Sequence, residues 1–403
     1  MNRRSDSIWS PTYTLLIVVN FFQSMAAQIA NTAIPLYARS LGITTASIGA
    51  IVASFTITAI AIRPFSGPAF DSFPKKTLFL GACLINMIAM VLYSFAASTE
   101  TLFAVRLLHG VGIGCAAPLG MAICNQVLPP SRISSGISIY MLAFTVAQAI
   151  GPAFAVWFTQ SVSYQSTFII SGCLLAVACV LVLFLRVPEV RNRPRYQIRL
   201  NRIFAKQAVI TATVLFLLSA AMSATGSFLV IYGMLAGVND IGLYFTVSAA
   251  CMLITRPLFG RISDNKGTTT VFVPAVICFA VSYAIIATAR TLPTFLVAAV
   301  VGACGFGICA PLLQALTFKM VPQQRAGAAS NTTYVGLDLG NLLGPSLAGI
   351  LVDFLAPVSG SELAAYSDMW LALIVPIVAG LVFYLSQLKK IRHNIEKMEA
   401  SRS

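Results

Sequence analysis

Charge is scarce in this chain. Of its 403 residues only 9% are Asp, Glu, Lys or Arg, where soluble domains carry roughly 25%. Acid is the scarcer sign, with 12 carboxylates against 26 Lys and Arg, and histidine occurs twice. Such a shortage of polar surface excludes a water-soluble globule, a disordered segment and a collagen-like chain. Several chemistries are also missing as motifs. There is no G-x-x-x-x-G-K-[ST] loop, so no built-in ATPase is expected. There is no H-E-x-x-H, no G-x-S-x-G, no pair of mid-span carboxylates and no His/Cys cluster with metal spacing. An enzyme, a metal site and a cofactor are therefore not expected. None of the nine cysteines forms C-x-x-C, and all lie in apolar stretches as small packing residues.

What is abundant is apolar: 58% of the chain is hydrophobic. A membrane-crossing helix needs about 20 such residues in a row. Twelve runs qualify, at 13–37, 45–68, 77–97, 101–125, 134–159, 165–186, 207–233, 239–260, 269–289, 293–318, 327–353 and 366–388. The first run is too long for a signal-peptide core and reads as a helix. Strands are excluded as spans, because lone strands leave backbone groups unpaired in lipid. The expected fold is all-α and integral to the membrane, with twelve transmembrane helices.

The basic residues set the orientation. Placed on alternate sides of twelve spans, 23 of the 26 fall with the two termini. Only Arg39 and Arg290 fall opposite, and Arg106 lies within a span. Positive residues stay cytoplasmic, so both termini are expected inside a bacterial inner membrane. The net charge of +14 is thus a topology signal that calls for no nucleic acid. The polar stretch 187–206 carries much of this charge and reads as a cytoplasmic linker between residues 1–186 and 207–403.

The two halves repeat. RPFSGPAFD at 63–71 returns as RPLFGRISD at 256–264, a separation of 193 positions (264 minus 71). The same separation relates Gly112 to Gly305, Pro118 to Pro311, Arg132 to Arg325, and Gly151-Pro152 to Gly344-Pro345. Six spans between copies give both halves the same sense in the membrane. They read as parallel, pseudo-symmetric six-helix bundles, the arrangement of two-bundle transporters. Gly67 and Gly260 permit close helix approach. Asp71 and Asp264 stand at cytoplasmic helix ends, where a carboxylate suits the positive N-terminus of another helix. The expectation is that Asp71 docks to the start of helix 11 near Arg325, and Asp264 to the start of helix 5 near Arg132. With Lys75 and Lys76 these residues would form a gate.

These residues resemble the major facilitator superfamily over the whole membrane region. Gly67-Pro-Ala-Phe-Asp71-Ser-Phe-Pro-Lys75-Lys76 is similar to the superfamily's G-x-x-x-D-R-x-G-R-K loop, with Ser72 and Pro74 replacing its Arg and Gly. Arg106-Leu-Leu-His109-Gly110 resembles the R-x-x-Q-G signature of the twelve-helix drug/proton antiporter branch, with His for Gln. Gly151-Pro152 resembles part of that branch's antiporter motif, and the second half is closer, with Gly340-x-x-x-Gly344-Pro345. The resemblance implies alternating access and a part for Arg106 in proton coupling. Gly110, Gly151, Pro152, Gly344 and Pro345 are expected to set helix packing.

Ionisable groups inside a membrane are costly and mark function. Asp338 lies thirteen residues from Arg325 and fifteen from Asp353, roughly 20 Å from either end at 1.5 Å per residue. Reversible protonation or substrate contact is expected of it. Tyr334, Asp338 and Asn341 share one helix face. Arg106 and His109 share another, and Arg106 could equally hold an anionic substrate group, pair with an acid or brace helix ends. The amides Asn20, Gln23, Gln28 and Asn31 of span one, with Gln148 and Gln314, suit hydrogen bonding in a cavity or between helices. The leading expectation is a monomeric secondary transporter, a proton-driven exporter of a small amphipathic compound, drug or metabolite. The alternatives are uptake or facilitated diffusion of an organic anion, and a non-transporting receptor or scaffold.

Overall fold

The computed structural model describes residues 7–43, 45–188, 195–198, 203–238 and 240–400. Arg3, Arg4, Arg402 and the linker's Arg191, Arg193, Arg199 and Arg202 lie outside the described residues. Every regular element among those described is helical: α1 (Pro11–Ser40), α2 (Thr45–Ala61), α3 (Arg63–Ser72), α4 (Lys75–Tyr93), α5 (Thr99–Val127), α6 (Ile133–Tyr140), α7 (Leu142–Ser161) and α8 (Tyr164–Leu183). The second half continues with α9 (Ala208–Leu235), α10 (Leu243–Lys266), α11 (Thr268–Thr288), α12 (Leu292–Cys304), α13 (Phe306–Met320), α14 (Ala326–Ser359), α15 (Glu362–Ala372), α16 (Ile374–Ser386) and α17 (Leu388–Ala400).

Eleven of the helical segments are long and apolar enough to cross a membrane, and a twelfth span forms when α2 and α3 count as one, bent by 44°. The bend falls just before Pro64, whose ring nitrogen cannot continue the helical hydrogen bonding. The other breaks within spans fall at Met141, Gly305 and Leu373. Helix starts follow local chemistry: the hydroxyls of Ser10, Ser163 and Ser361 accept from the backbone N–H of Tyr13, Ser166 and Ala364 at 3.1 Å each.

The chain packs into two compact units. The first comprises Met1–Pro130, Tyr140–Ala205 and Gln323–Asn331, and the second Ser131–Ile139, Lys206–Pro322 and Thr332–Ser403. Each unit therefore holds a short segment from the other half of the chain, an exchange that the contiguous reading of 1–186 and 207–403 does not contain. In the first unit α1 packs on α7 and α8, and α4 lies between α5 and α8. Small residues at Ala26, Ala30 and Ala33 let the helices close around Tyr37, Tyr93 and Phe168. In the second unit α11 packs on α12 and α9 on α16. Its largest wholly buried side chains include Trp370, Tyr232, Tyr283 and Phe295. Many large apolar side chains, Ile254, Phe354 and Val375 among them, stay exposed, as a lipid-facing surface requires.

Candidate functional site

Three clusters collect the polar side chains singled out in the sequence. Two are repeats of one another. In the first unit, α3 ends with Asp71 against the first turn of α14. Its Oδ1 accepts from the backbone N–H of Gly327 at 2.9 Å and of Ala328 at 3.3 Å. The Arg325 Nε lies 3.6 Å from Oδ2. In the second unit, Asp264 meets the first turn of α6. Its Oδ1 accepts from Ser134 N at 2.9 Å, and its Oδ2 from Ser135 N at 2.8 Å and the Ser135 hydroxyl at 2.7 Å. Lys319 Nζ approaches the same carboxylate at 3.4 Å and donates to the Ser134 hydroxyl at 2.8 Å. First-turn N–H groups have no partner inside their own helix, so a buried carboxylate there satisfies them and faces the positive end of the dipole.

Close packing makes these contacts possible. A Cβ on Gly67 would stand 2.8 Å from the Asn331 amide, and one on Gly260 would stand 2.8 Å from Ser135 Cα. Gly327 is tighter still, since its Cβ would meet Phe70 Cβ at 2.5 Å. The repeat arginines brace the two units alike: Arg63 Nη1 donates to the Gly114 carbonyl at 3.4 Å and Arg256 Nε to the Gly307 carbonyl at 2.8 Å. Asn331 locks the first cluster. It accepts from Arg63 at 3.1 Å and returns a bond to the Arg63 carbonyl at 2.9 Å.

Sequence reasoning missed Gly327, Asn331, Ser134, Ser135 and Lys319. Applying the same separation to the docked segments pairs Gly327 with Ser134 and Ala328 with Ser135, so the repeat did carry a signal for them. Of the residues grouped with Asp71, Lys75 is buried, whereas Lys76 donates to the Leu183 carbonyl at 2.6 Å and so caps the end of α8. Arg132 is half-buried, and its carbonyl accepts from the Ser135 hydroxyl at 3.2 Å.

The third cluster lies within the first unit, between α1, α2, α4 and α5. Arg106 is 3% exposed. Its Nη2 donates to Asn31 Oδ1 at 3.0 Å, and its guanidinium sits 4.4 Å from the Phe55 ring centroid. His109, one turn along, is buried with its Nδ1 3.4 Å from the Tyr93 hydroxyl. Phe55 packs edge-on to His109 at 5.1 Å, so one ring lies against both the guanidinium and the imidazole.

The remaining amides divide. Asn20 donates to the Tyr140 carbonyl at 3.0 Å and Gln23 to the Cys83 sulfur at 3.2 Å, so both join helices. Gln28 fills the notch at Gly151, where a Cβ would fall 2.6 Å from its own Cβ. Gln314 is buried, and Gln148 and Asn341, one repeat apart, are exposed. Tyr334 and Asp338 are half-buried on α14 in the second unit. Gly110 abuts the Phe55 carbonyl and Gly344 the Ala220 carbonyl, while Pro152 and Pro345 lie inside α7 and α14.

A multi-pass helical membrane protein, built from two repeats whose acidic loops hold helix starts, is the class this architecture defines. Residues 16–345 and 235–402 match the family model of the Major Facilitator Superfamily, and the chain belongs to that superfamily. The family and fold are those of membrane transporters. Multidrug resistance protein 1 of Bacillus subtilis is 22% identical over 353 residues, covering 85% of this chain and 90% of that one. The staphylopine export protein of Staphylococcus aureus is 26% identical over 278 residues, covering 64% and 67%. Among solved structures, FucP in the outward conformation superposes with a TM-score of 0.76 at 14% identity, over 94% of this chain and 99% of that one. The human organic anion transporter MFSD10 gives 0.74 at 15%, over 92% and 100%. At such identity the structures establish the fold.

Proposed function

We propose that the protein is a secondary active transporter working by alternating access, and that it exports a small amphipathic compound in exchange for protons across a plasma membrane with both termini cytoplasmic. The observation that carries the alternating-access reading is the pair of carboxylate docks. Asp71 and Asp264 hold helix starts drawn from the opposite halves of the sequence, so each dock is a contact that a rearrangement of the halves must break and remake. Such contacts are latches of a two-state element. The export direction is supported by the relatives named for multidrug resistance and for export. Proton coupling is supported by Asp338, an acid far from either end of a membrane helix, since ionisable groups at that depth are costly and mark function. The test is flux of a fluorescent cationic dye in proteoliposomes under an imposed pH gradient. Uphill extrusion that collapses with the gradient is expected. Dye movement that ignores the gradient would overturn the coupling, and no movement of any tested solute would overturn transport.

One observation favours a second reading, downhill passage or uptake of an organic anion. No carboxylate among the described residues pairs with the buried guanidinium of Arg106.

A further inference from the structure

The two repeats differ most where the third cluster sits. Between the matched pairs Asp71/Asp264 and Pro129/Pro322 the separation stays at 193 positions, so equivalent residues can be read across. Asn86, Tyr93, Arg106 and His109 of the first unit correspond to Phe279, Ile286, Ala299 and Gly302 of the second. One fold thus packs the same two-helix seam with Phe, Ile, Ala and Gly at these four positions in one copy, where Ser282 crosses to the Ala298 carbonyl at 2.8 Å, and with a polar file in the other. Packing alone does not require the polar set.

The polar file is also incomplete. Arg106 Nε and Nη1, His109 Nε2 and both amide atoms of Asn86 are buried without a hydrogen-bond partner among the described residues. Asn86 is 1% exposed and abuts Gly112, one turn along α5 from His109. Arginine supplies donors only. Its Nη2 belongs to both bidentate edges of the guanidinium, and Asn31 holds that nitrogen at 3.0 Å. Asn31 is exposed, so a neutral bond ties the guanidinium to an accessible side chain at the rim of the cluster. Release of that bond frees an edge with two parallel N–H groups, the geometry that fits a carboxylate.

His109 bears on the same event. The titratable or charged groups facing it are Arg106 from its own helix and Tyr93 from α4. Phe55 faces it from α2, and Asn31 of α1 reaches only Arg106. A proton on this imidazole beside Arg106 puts two positive charges together in a site that holds no carboxylate among the described residues. An anion bound to the guanidinium removes that repulsion, so anion and proton each favour the other, and the linkage is reciprocal.

We propose that Arg106, His109, Tyr93 and Asn86 form a site in the first unit where a compact carboxylate and a proton bind together. The site reads the acidic group of a solute, a substrate class that the export reading leaves open. Binding can be measured without flux, so failure here and failure of the transport reading are separate results.

The test is calorimetric titration of the purified full-length protein with benzoate at several pH values, in two buffers of different ionisation enthalpy, with benzamide as the uncharged control. The expected result is saturable benzoate binding with uptake of close to one proton. Affinity should fall as pH rises, by up to about tenfold per pH unit. Benzamide should not bind. Arg106→Gln should weaken binding at least tenfold, and Arg106→Lys, which keeps the charge but not the fork, should weaken it less. His109→Gln should bind benzoate with no proton uptake and no pH dependence. Asn86→Phe installs the residue the second repeat already accommodates, so it should fold and still lose several-fold in affinity. Absence of benzoate binding by the folded wild-type protein, equal binding of benzamide, or proton uptake that persists in His109→Gln would overturn the proposal.

Discussion

Replacing Asp264 by asparagine should loosen the start of α6 without unfolding the second unit. The wild-type carboxylate is 1% exposed and accepts three close hydrogen bonds, two from backbone N–H groups and one from the Ser135 hydroxyl, with Lys319 at 3.4 Å. Hydrogen bonds to a charged group contribute about 1.5–3 kcal/mol each when lost singly. The charge–dipole part at a partly buried helix start adds up to about 2 kcal/mol. An amide keeps one acceptor oxygen and turns its NH2 toward backbone donors, so part of the set survives and part becomes repulsive. The net loss should be about 2–4 kcal/mol, which is roughly 30- to 1,000-fold in the docking equilibrium at 1.4 kcal/mol per factor of ten. Hydrogen exchange of the peptide covering residues 131–139, read by mass spectrometry in nanodiscs, reports that equilibrium locally. Exchange there should accelerate by a factor in this range, while α11 stays protected. Lys319→Gln leaves the three short bonds in place and should accelerate it by less than tenfold. Unchanged exchange at 131–139 in a folded Asp264→Asn protein would refute the argument that the carboxylate holds the helix start.

Three further outcomes follow from the same geometry. Gly327→Ala should undock residues 326–331, because its methyl would meet Phe70 Cβ at 2.5 Å and Asp71 Oδ1 at 2.7 Å; faster hydrogen exchange of that peptide checks it, and normal protection would contradict it. Gly112→Ala drives a methyl into Asn86 and should cost about 1–3 kcal/mol. Thermal unfolding should show that Asn86→Ala recovers part of this loss, and strictly additive effects would mean that the two residues do not meet. Asp338→Asn should leave downhill dye movement intact and abolish uphill extrusion under a pH gradient in proteoliposomes. A mutant that still concentrates dye against its gradient would remove Asp338 from the coupling.

Much of the fold was legible because the bilayer is a strict solvent. Twelve apolar runs, and the repeat of Arg63-Pro64 through Asp71 at 256–264, needed no tertiary information. The docking of Asp71 and Asp264 was also within reach, since a carboxylate at a helix end suits the positive N-terminus of another helix. The fates of the amides were not legible. Asn20, Gln23 and Asn31 fall along one stripe of α1, yet Asn20 bonds a backbone carbonyl, Gln23 a thiol and Asn31 a guanidinium. Side-chain type and helical spacing fix the face, and the neighbouring helix fixes the partner. Asn86 went unremarked for the same reason. In sequence it is one more polar residue in an apolar span, and only the structure shows it buried against Gly112 with both amide atoms unpartnered among the described residues.

The sequence by itself determined the class of protein, the number of spans and the duplication. Each of these is written in local quantities, hydropathy over about 20 residues and identity at a fixed separation, which survive without knowledge of contacts. Only the tertiary structure decided that residues 131–139 belong to the second compact unit and 323–331 to the first, that Lys319 and Asn331 belong to the docks, and that Arg106 has Asn31 and Phe55 for company. Those facts depend on distances between residues far apart in the chain, set by how small side chains such as Gly327 and Gly112 let particular helices touch.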